Sequence, residues 1–428
     1  MDKVCTFSIH TLGCKVNAYE SNVICEKFEE EGLKRVEFGE PSDIVIINTC
    51  AVTEESARKS RQFARRAKRE NPGCVLVVVG CYSQICDDGS LDFADVVYGS
   101  KNKSEIAATV RRFLESGEKI VEVSDMTNSV DFEKMLSDRD DRVRATVKIQ
   151  DGCNNFCTYC IIPYARGRIR SKDINEAYNE ISALVRSGYK EIVVTGIHLT
   201  SYGLDGKDYG LCDLLERIDK IDGIKRIRLG SLEPKFITEE TVGRLSKLIH
   251  LCPHFHLSLQ SGCTETLKRM NRRYTAEEYK HSVELLKKTF ETVAITTDVI
   301  VGFCGETEEE FAKTCDFVKD IGFSKIHLFP FSPRKGTVAY TMEKVPDGIK
   351  SERMKIIGAI EKELEENYRA DLIGKGREVL IEKSGQEFSE GHTVDYVKVK
   401  IKKPLGINSL VNVIITGAEK DFCIGETI

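Results

Sequence analysis

The sequence predicts an α/β protein with an N-terminal parallel α/β domain, a partial (βα)6 barrel of the TIM type and a small C-terminal β-barrel. Strand and helix patterns alternate through the first third of the chain, which is typical of a parallel sheet covered by helices. Strand patterns then recur about every 30 to 45 residues, each followed by a helix pattern, as in an open TIM-like barrel. The observations divide the chain into residues 1–124, a linker over 125–142, the barrel over 143–371 and the last module over 372–428.

Composition limits the class of protein. The chain has 428 residues, of which 41% are hydrophobic and 31% charged, as in soluble multi-domain proteins. No signal peptide is evident at the N-terminus and no apolar run approaches the roughly 18 residues of a membrane span. Sixteen cysteines without an export signal favour metal or redox chemistry in a reducing cytoplasm over disulfides. Because the net charge is −5, any nucleic-acid binding must depend on local basic patches.

Three cysteines of the first domain are predicted to meet at one edge of its sheet. Cys14, Cys50 and Cys81 each follow directly on a strand pattern. Ligands of open α/β sheets bind outside the carboxyl ends of the strands, so the three thiols could share a ligand there. Alternatively they are buried residues without a ligand, as cysteine often is. The predicted strands are 4–12, 43–47 and 75–79, and the predicted helices are 18–31, 54–70 and 104–115.

A basic helix in this domain is a candidate surface for nucleic acid. Segment 56–69 carries seven basic residues and no acidic one, and Arg58, Arg61 and Arg65 share a face at helical spacing. This face would contact phosphates if RNA is bound. Otherwise it is a solvated surface.

A cysteine triplet after the first barrel strand is the most specific motif of the chain. Cys153, Cys157 and Cys160 stand in one short loop with the spacing Cys-x3-Cys-x2-Cys. Ordinary 4Fe–4S clusters take four cysteines, so three would leave one iron open to a ligand. Zinc is the alternative, but it prefers four ligands and no fourth Cys or His lies nearby. With Tyr159 before the last cysteine, the triplet resembles the signature of radical S-adenosylmethionine (SAM) enzymes, which implies that SAM binds the open iron.

Polar groups and glycines follow the later barrel strands, where a TIM-like barrel carries its functional groups. The predicted strands are 144–149, 191–197, 225–230, 255–260, 294–302 and 325–331. With Tyr159, the candidate SAM-binding residues at these strand ends are Gly196, Ser231, Glu233, Gln260 and Asp298. Glycine at a strand end is also common turn chemistry. An ARGR run at 165–168 and Arg170 could hold either the SAM carboxylate or an RNA phosphate.

The last module alternates in strand fashion and is broken by glycines, as in EVLIEK, YVKVKIK and LVNVIITGAE. This pattern suits a five-stranded barrel of about 55 residues. It resembles the TRAM domain, an RNA-binding appendage of tRNA-modifying enzymes. Lys398, Lys400 and Lys402 would share one strand face and are candidate RNA contacts.

Three motifs resemble the methylthiotransferase family of radical SAM enzymes. They are TLGCKVNAYES at 11–21, INTCAVT at 47–53 and VVGCYSQ at 78–84, and the domain order agrees over the whole chain. The resemblance implies a second 4Fe–4S cluster on Cys14, Cys50 and Cys81, whose open iron carries the sulfur to be methylated. It also implies that two SAM are used, one as methyl donor and one as radical source. Cys304 departs from the pattern, which usually has proline before GET, and we interpret it as structural.

Within the family, Lys15 directly after the first cysteine most resembles the branch acting on threonylcarbamoyladenosine at position 37 of tRNA, beside the anticodon. The resemblance implies tRNA as partner, a one-electron donor such as flavodoxin or ferredoxin, and a sulfur source. Alternative substrates are isopentenyladenosine in tRNA or an aspartate of a ribosomal protein. An alternative from a different class is a non-catalytic iron–sulfur protein that binds RNA or senses redox state.

Overall fold

A computed structural model describes residues 5–127 and 129–428, and its first domain is a six-stranded parallel sheet. The strand order is β2-β1-β3-β4-β5-β6, and all neighbouring strands run parallel. The strands are β1 (Thr6–Thr11), β2 (Lys34–Arg35), β3 (Ile44–Thr49), β4 (Val75–Gly80), β5 (Val96–Tyr98) and β6 (Ile120–Glu122). The helices are α1 (Lys15–Glu30), α2 (Glu54–Glu70), α3 (Cys81–Ile85) and α4 (Ile106–Ser116).

The predicted elements of this domain are present, with ends that differ by a few residues. Strand β3 is buried along its whole length, which explains its continuous apolar sequence. Helix α2 begins where the Thr53 hydroxyl accepts a hydrogen bond from the Ser56 amide, and it ends before the Asn71-Pro72 pair. The short strands β2, β5 and β6 were not predicted, because two or three residues are too few to show a period.

The second domain is a partial barrel of six parallel strands. Strands β10-β9-β7 form one parallel sheet and β11-β12-β13 another, and the pairs Ile227–Leu251 and Leu232–Leu257 join them. The strands are β7 (Ala145–Asp151), the short antiparallel β8 (Arg170–Ser171), β9 (Glu191–Gly196), β10 (Arg226–Leu229), β11 (His254–His256), β12 (Ala294–Val301) and β13 (Lys325–Pro330). The helices are α5 (Ile162–Arg166), α6 (Ile174–Arg186), α7 (Leu211–Ile218), α8 (Glu239–Leu245), α9 (Thr264–Arg269), α10 (Ala276–Thr289), α11 (Glu308–Ile321) and α12 (Asp347–Ala370). All six predicted strands are present, but the fourth, predicted over 255–260, is a regular strand only over His254–His256.

The two faces of the barrel strands differ in chemistry. Val147, Val194 and Leu257 belong to the apolar core shared with the surrounding helices. Neighbours of the other parity, such as Thr195 and His256, line a cavity inside the barrel. The barrel therefore has an apolar shell and a polar interior, which suits the binding of a polar ligand.

The C-terminal module is a closed five-stranded barrel of order β14-β15-β16-β18-β17, as predicted. Its strands are β14 (Gly376–Ser384), β15 (Ser389–Thr393), β16 (Lys398–Ile401), β17 (Leu410–Ala418) and β18 (Cys423–Thr427). The turn between β15 and β16 docks on the second domain near the first residues of its strands. Buried Arg226 and Arg228 donate to the carbonyl oxygens of His392 and Val394, each at 2.9 Å. The Tyr396 ring lies 4.8 Å from the guanidinium carbon of Arg228.

The segment predicted as a linker forms no helix or strand over its described residues, 125–127 and 129–142. It nevertheless packs between the first two domains. Met135 is buried, and its carbonyl accepts hydrogen bonds from the Tyr19 hydroxyl of the first domain and the Lys172 ammonium of the second, each at 2.7 Å. Within the same described part of the chain, no helix is both long and apolar enough to span a bilayer.

Candidate functional site

One cavity of about 940 Å³ joins the three domains. Its wall includes Cys14 of the first domain, the cysteine triplet of the barrel and Tyr396 of the C-terminal module. It runs from the carboxyl ends of the barrel strands into the polar barrel interior. A cavity of this size can hold more than one small ligand, since typical ligand pockets measure about 300–1,000 Å³.

The triplet Cys153, Cys157 and Cys160 faces this cavity from the loop between β7 and α5. The loop depends on Gly152, because a Cβ there would lie 1.8 Å from the carbonyl oxygen of Arg168. Burial raises the pKa of the Cys153 thiol to about 11 and that of the Cys160 thiol to about 12. Without a metal these thiols stay protonated, and cluster binding would displace their protons.

The second triad is assembled at the carboxyl edge of the N-terminal sheet. Cys14 follows β1, Cys50 follows β3 and Cys81 begins α3 after β4. The approach of Cys14 to Cys50 requires Gly13, whose φ is +104° and whose added Cβ would lie 3.0 Å from the Cys50 sulfur. Cys50 and Cys81 are buried, whereas Cys14 is open to the cavity.

The three thiols of this triad interact electrostatically. Burial raises the pKa of the Cys50 thiol to about 11, and the nearby charge of Cys81 raises it further. Protein enclosing the cavity likewise raises the pKa of Cys14, and Arg166 opposes that shift. The three thiols are thus near enough at this edge of the sheet to affect one another electrostatically.

Both triads fit cubane clusters better than single zinc ions. Among residues 5–127 and 129–428, no three Cys, His, Asp or Glu side chains converge closely enough for one metal ion. In a 4Fe–4S cluster each cysteine binds its own iron, so the three sulfurs need not meet at one point. The all-thiol donor sets and the open cavity beside Cys14 and the triplet agree with this arrangement.

All six candidate SAM residues lie in the cavity wall. They are Tyr159, Gly196, Ser231, Glu233, Gln260 and Asp298. The Glu233 carboxylate accepts a hydrogen bond from Arg272 at 2.7 Å and lies 3.6 Å from His198 Nε2. The Arg272 charge lowers the pKa of Glu233 against the opposing effect of burial. The structure brings the six residues to one site, and their contact with SAM stays a prediction.

The cavity also contains polar residues that the sequence did not single out. Arg272 donates to the Cys157 sulfur at 3.4 Å as well as to Glu233. His198 lies 3.0 Å from the Asn155 side chain, within the cysteine loop. The segment around Arg272 offers no motif by which it could have been found, because it reaches the triplet only through the fold.

The arginines after the triplet have three different environments. Arg166 is fully buried and donates through Nε to the Cys81 sulfur at 3.1 Å. Arg170 is buried with Nη2 at 3.5 Å from the Asp151 carboxylate. Arg168 is exposed and stacks over the Phe156 ring at 4.8 Å. Burial therefore keeps Arg166 and Arg170 away from an RNA phosphate.

Lys15 directly follows Cys14 in the sequence, and its side chain is open to the cavity. Enclosure by the protein lowers its pKa to about 8, and the positive charges of Arg228, Arg144 and Arg142 act in the same direction. Within the described residues its ammonium forms no salt bridge or hydrogen bond with a carboxylate. The Glu191 carboxylate acts in the opposite direction. Lys15 is therefore an unpaired cation in the cavity wall, and it suits an anionic group.

The candidate RNA contacts differ in how far they are paired. On α2, Arg58 pairs with Glu55 at 2.7 Å and Arg61 with Glu54 at 3.2 Å. Arg65 is exposed, with its guanidinium carbon 5.6 Å from the centre of the Phe93 ring.

On the C-terminal barrel, Lys398 and Lys400 both contact Glu390, at 2.9 and 3.3 Å. Lys402 is exposed just beyond β16. A role for any of these residues in RNA binding stays a prediction.

Comparison with known proteins places two parts of the chain in families. Residues 147–318 match the Radical SAM superfamily, and residues 6–98 match a family described as Uncharacterized protein family UPF0004. A threonylcarbamoyladenosine tRNA methylthiotransferase MtaB of Bacillus subtilis is 41% identical over 93% of this chain and 90% of its own length. A protein of the same name from Aquifex aeolicus is 37% identical over 95% and 99%. A tRNA-2-methylthio-N(6)-dimethylallyladenosine synthase of Clostridium tetani is 38% identical over 85% and 83%.

Solved structures share the fold at low sequence identity. The radical SAM methyltransferase TsrM of Kitasatospora setae, solved with tryptophan and a SAM analogue, aligns with a TM-score of 0.57 and 14% identity over 78% of this chain and 75% of TsrM. The cobalamin-dependent radical enzyme OxsB aligns with a TM-score of 0.52 and 12% identity over 79% of this chain and 55% of OxsB. The alignments cover 78% and 79% of this chain, so they extend beyond residues 147–318, which match the superfamily.

Proposed function

Because this chain belongs to the methylthiotransferase family of radical SAM enzymes, we propose that it converts N6-threonylcarbamoyladenosine at position 37 of tRNA into its 2-methylthio derivative. Two of the relatives above are named for this substrate. The observation that carries the proposal is the shared cavity, in which the cysteine triplet, Cys14 and the unpaired Lys15 line one space. Substrate, SAM and both clusters can meet there.

The reaction class requires radical chemistry. The carbon to be modified carries a hydrogen that is neither acidic nor a leaving group, so general acid–base catalysis cannot replace it. When bound, SAM and the cluster on Cys153, Cys157 and Cys160 supply that radical chemistry. The Glu233–Arg272 pair would orient the SAM amino-acid group, and Cys14, Cys50 and Cys81 would hold the second cluster beside the substrate.

Lys15 supports the choice between two tRNA substrates. Threonylcarbamoyladenosine carries a carboxylate, whereas isopentenyladenosine carries only a hydrocarbon chain at the same nitrogen. A carboxylate would pair with the Lys15 ammonium in a charge-assisted hydrogen bond. A hydrocarbon chain would leave this charge enclosed without a partner, which is unfavourable.

The Lys15→Gln variant tests whether Lys15 recognises the carboxylate of threonylcarbamoyladenosine. A hydrogen bond between charged groups contributes about 1.5–3 kcal/mol, so kcat/KM for tRNA bearing threonylcarbamoyladenosine should fall roughly 10- to 100-fold. Lys15→Arg should retain much of the activity. The measurement is methylthio product formed on purified tRNA of each type, and iron content must match the wild type because Cys14 is adjacent.

Equal activity of Lys15→Gln and wild type on the carboxylate substrate would remove Lys15 from recognition. A nucleoside profile of tRNA from cells lacking the gene tests the substrate itself. If 2-methylthio-threonylcarbamoyladenosine persists there, the isopentenyladenosine or ribosomal-protein alternative replaces this proposal. Surface Lys34, which lies on the edge strand β2, serves as the lysine control.

The exposed basic residues are proposed to contact the tRNA backbone, with the target base displaced from the anticodon loop into the cavity. We expect Arg65→Gln/Arg69→Gln and Lys402→Gln/Lys403→Gln each to weaken tRNA binding. Each lost phosphate contact should reduce the salt slope by roughly 0.7 to 0.9. The neutralised pair Arg66→Gln/Glu70→Gln is the control, since these two residues already pair at 2.9 Å. An unchanged slope in both double variants would show that these residues are only solvated surface.

The remaining partners are proposed from the reaction. SAM cleavage consumes an electron, so a one-electron donor such as flavodoxin or ferredoxin must reduce the radical cluster. The inserted sulfur needs a source. Reduced thiols and tRNA are both found in the cytoplasm, where we place the protein.

A further inference from the structure

Arg166 links the loop of the cysteine triplet to the N-terminal cysteine triad. It is the last residue of α5, six residues after Cys160, and none of its surface is exposed. Its Nε donates to the Cys81 sulfur at 3.1 Å. Its Nη2 donates to the Asn17 side chain at 2.6 Å and to Glu20 at 3.0 Å. One side chain therefore reaches from the second domain into the first.

The surroundings of Arg166 fix it in this position. Glu20 is also fully buried and pairs with Lys103 and with Lys148. Asp151 lies 3.5 Å from Arg166 Nη1. A buried charge is costly unless it is paired and hydrogen-bonded, and here both carboxylates and the guanidinium have several partners. The guanidinium cannot rotate away from Cys81 without losing its bonds to Asn17 and Glu20.

A hydrogen bond from a cation to a cluster sulfur has a predictable effect. Hydrogen bonds to the sulfurs, net charge and exposure set the reduction potential of an iron–sulfur cluster. A positive donor withdraws electron density from the thiolate and stabilises the more negative, reduced state. The same bond orients the ligand, as outer-shell partners do at metal sites generally.

We propose that Arg166 is a positioning residue that fixes Cys81 and raises the reduction potential of the cluster on Cys14, Cys50 and Cys81 through its hydrogen bond to the Cys81 sulfur. This rests on the proposed function only in assuming that the triad holds a cluster. Because Arg166 follows the triplet loop directly, it also sets the distance between the two cysteine triads. Movement of the triplet loop would therefore be transmitted to Cys81 through this hydrogen bond.

The test isolates the N-terminal cluster. In a parent variant with Cys153, Cys157 and Cys160 changed to Ala, the remaining cluster is titrated by redox potentiometry with electron paramagnetic resonance. We expect Arg166→Gln to shift its potential to more negative values. Arg166→Lys keeps the charge opposite Glu20, but one ammonium cannot serve Glu20, Asn17 and Cys81 together, so a smaller shift in the same direction is expected. Arg168→Gln, in the same run but exposed, should leave the potential unchanged.

The outcomes separate this inference from the proposed function. If the parent variant binds no iron, the N-terminal cluster and the proposed function fall together with the inference. If it binds iron and the Gln and Lys variants keep both that iron and the parent potential, only the role of Arg166 is overturned. Should Arg166→Gln fail to fold, the Lys variant alone decides, since it preserves the charge balance around Glu20.

Discussion

Anaerobically reconstituted protein should bind about eight irons, as two 4Fe–4S clusters. Changing Cys153, Cys157 and Cys160 to Ala together should leave about half of them, because the N-terminal triad stands on separate strands of another sheet. Iron and sulfide analysis, with absorption and Mössbauer spectra, measures both values. The effect is large because no other described residue of the loop offers a thiol to replace these three.

Cys304 is buried in an apolar cluster with Phe303 and Phe331, and it does not line the cavity. Cys304→Ala should therefore retain all the iron. Wild-type protein that saturates at about four irons would show that the strand-end triad is not a cluster site.

SAM cleavage should continue without the N-terminal cluster. A variant with Cys14, Cys50 and Cys81 changed to Ala should form 5′-deoxyadenosine under a strong reductant but give no methylthio product. The physical reason is that the triplet and all six candidate SAM residues belong to the barrel. Arg166 keeps its bonds to Asn17 and Glu20 in this variant, so the barrel site should stay in place.

Two chromatographic assays decide this second prediction. One follows 5′-deoxyadenosine and the other the methylthio nucleoside in digested tRNA. Retained methylthio product would place the sulfur-transfer role elsewhere. If wild type itself cleaves no SAM, the non-catalytic iron–sulfur alternative would be favoured.

The local sequence was sufficient to predict a site where the site depends on the spacing of cysteines along the chain. The triplet Cys153, Cys157 and Cys160 lies in one loop, so its pattern survives in the sequence. Cys14, Cys50 and Cys81 could be grouped because each follows a strand, and parallel strands end at one edge of a sheet. The order of the domains and the six barrel strands followed from alternation in the same way.

Contacts between domains could not be predicted. Arg166 was interpreted as a contact for SAM or RNA, but docking of the first domain buries it against Cys81 and Glu20. Arg272 reaches the triplet from more than a hundred residues away. On α2, Glu54 and Glu55 lie just before the basic segment 56–69 and pair with Arg61 and Arg58.

The docking of the C-terminal barrel limits how RNA binding can be tested. Arg226 and Arg228 are each 1% exposed and use backbone carbonyls of the C-terminal barrel as acceptors. Truncation after residue 371 would leave Glu191 as the one remaining ion-pair partner of both guanidinium groups. It would also expose their positive charge at the base of the catalytic barrel. A truncated protein that no longer methylthiolates tRNA would thus report a weakened barrel as much as a lost RNA contact. In this chain the C-terminal module covers the base of the catalytic domain. Point substitutions on the outer face of the module are therefore needed to isolate the contribution of the module to RNA binding.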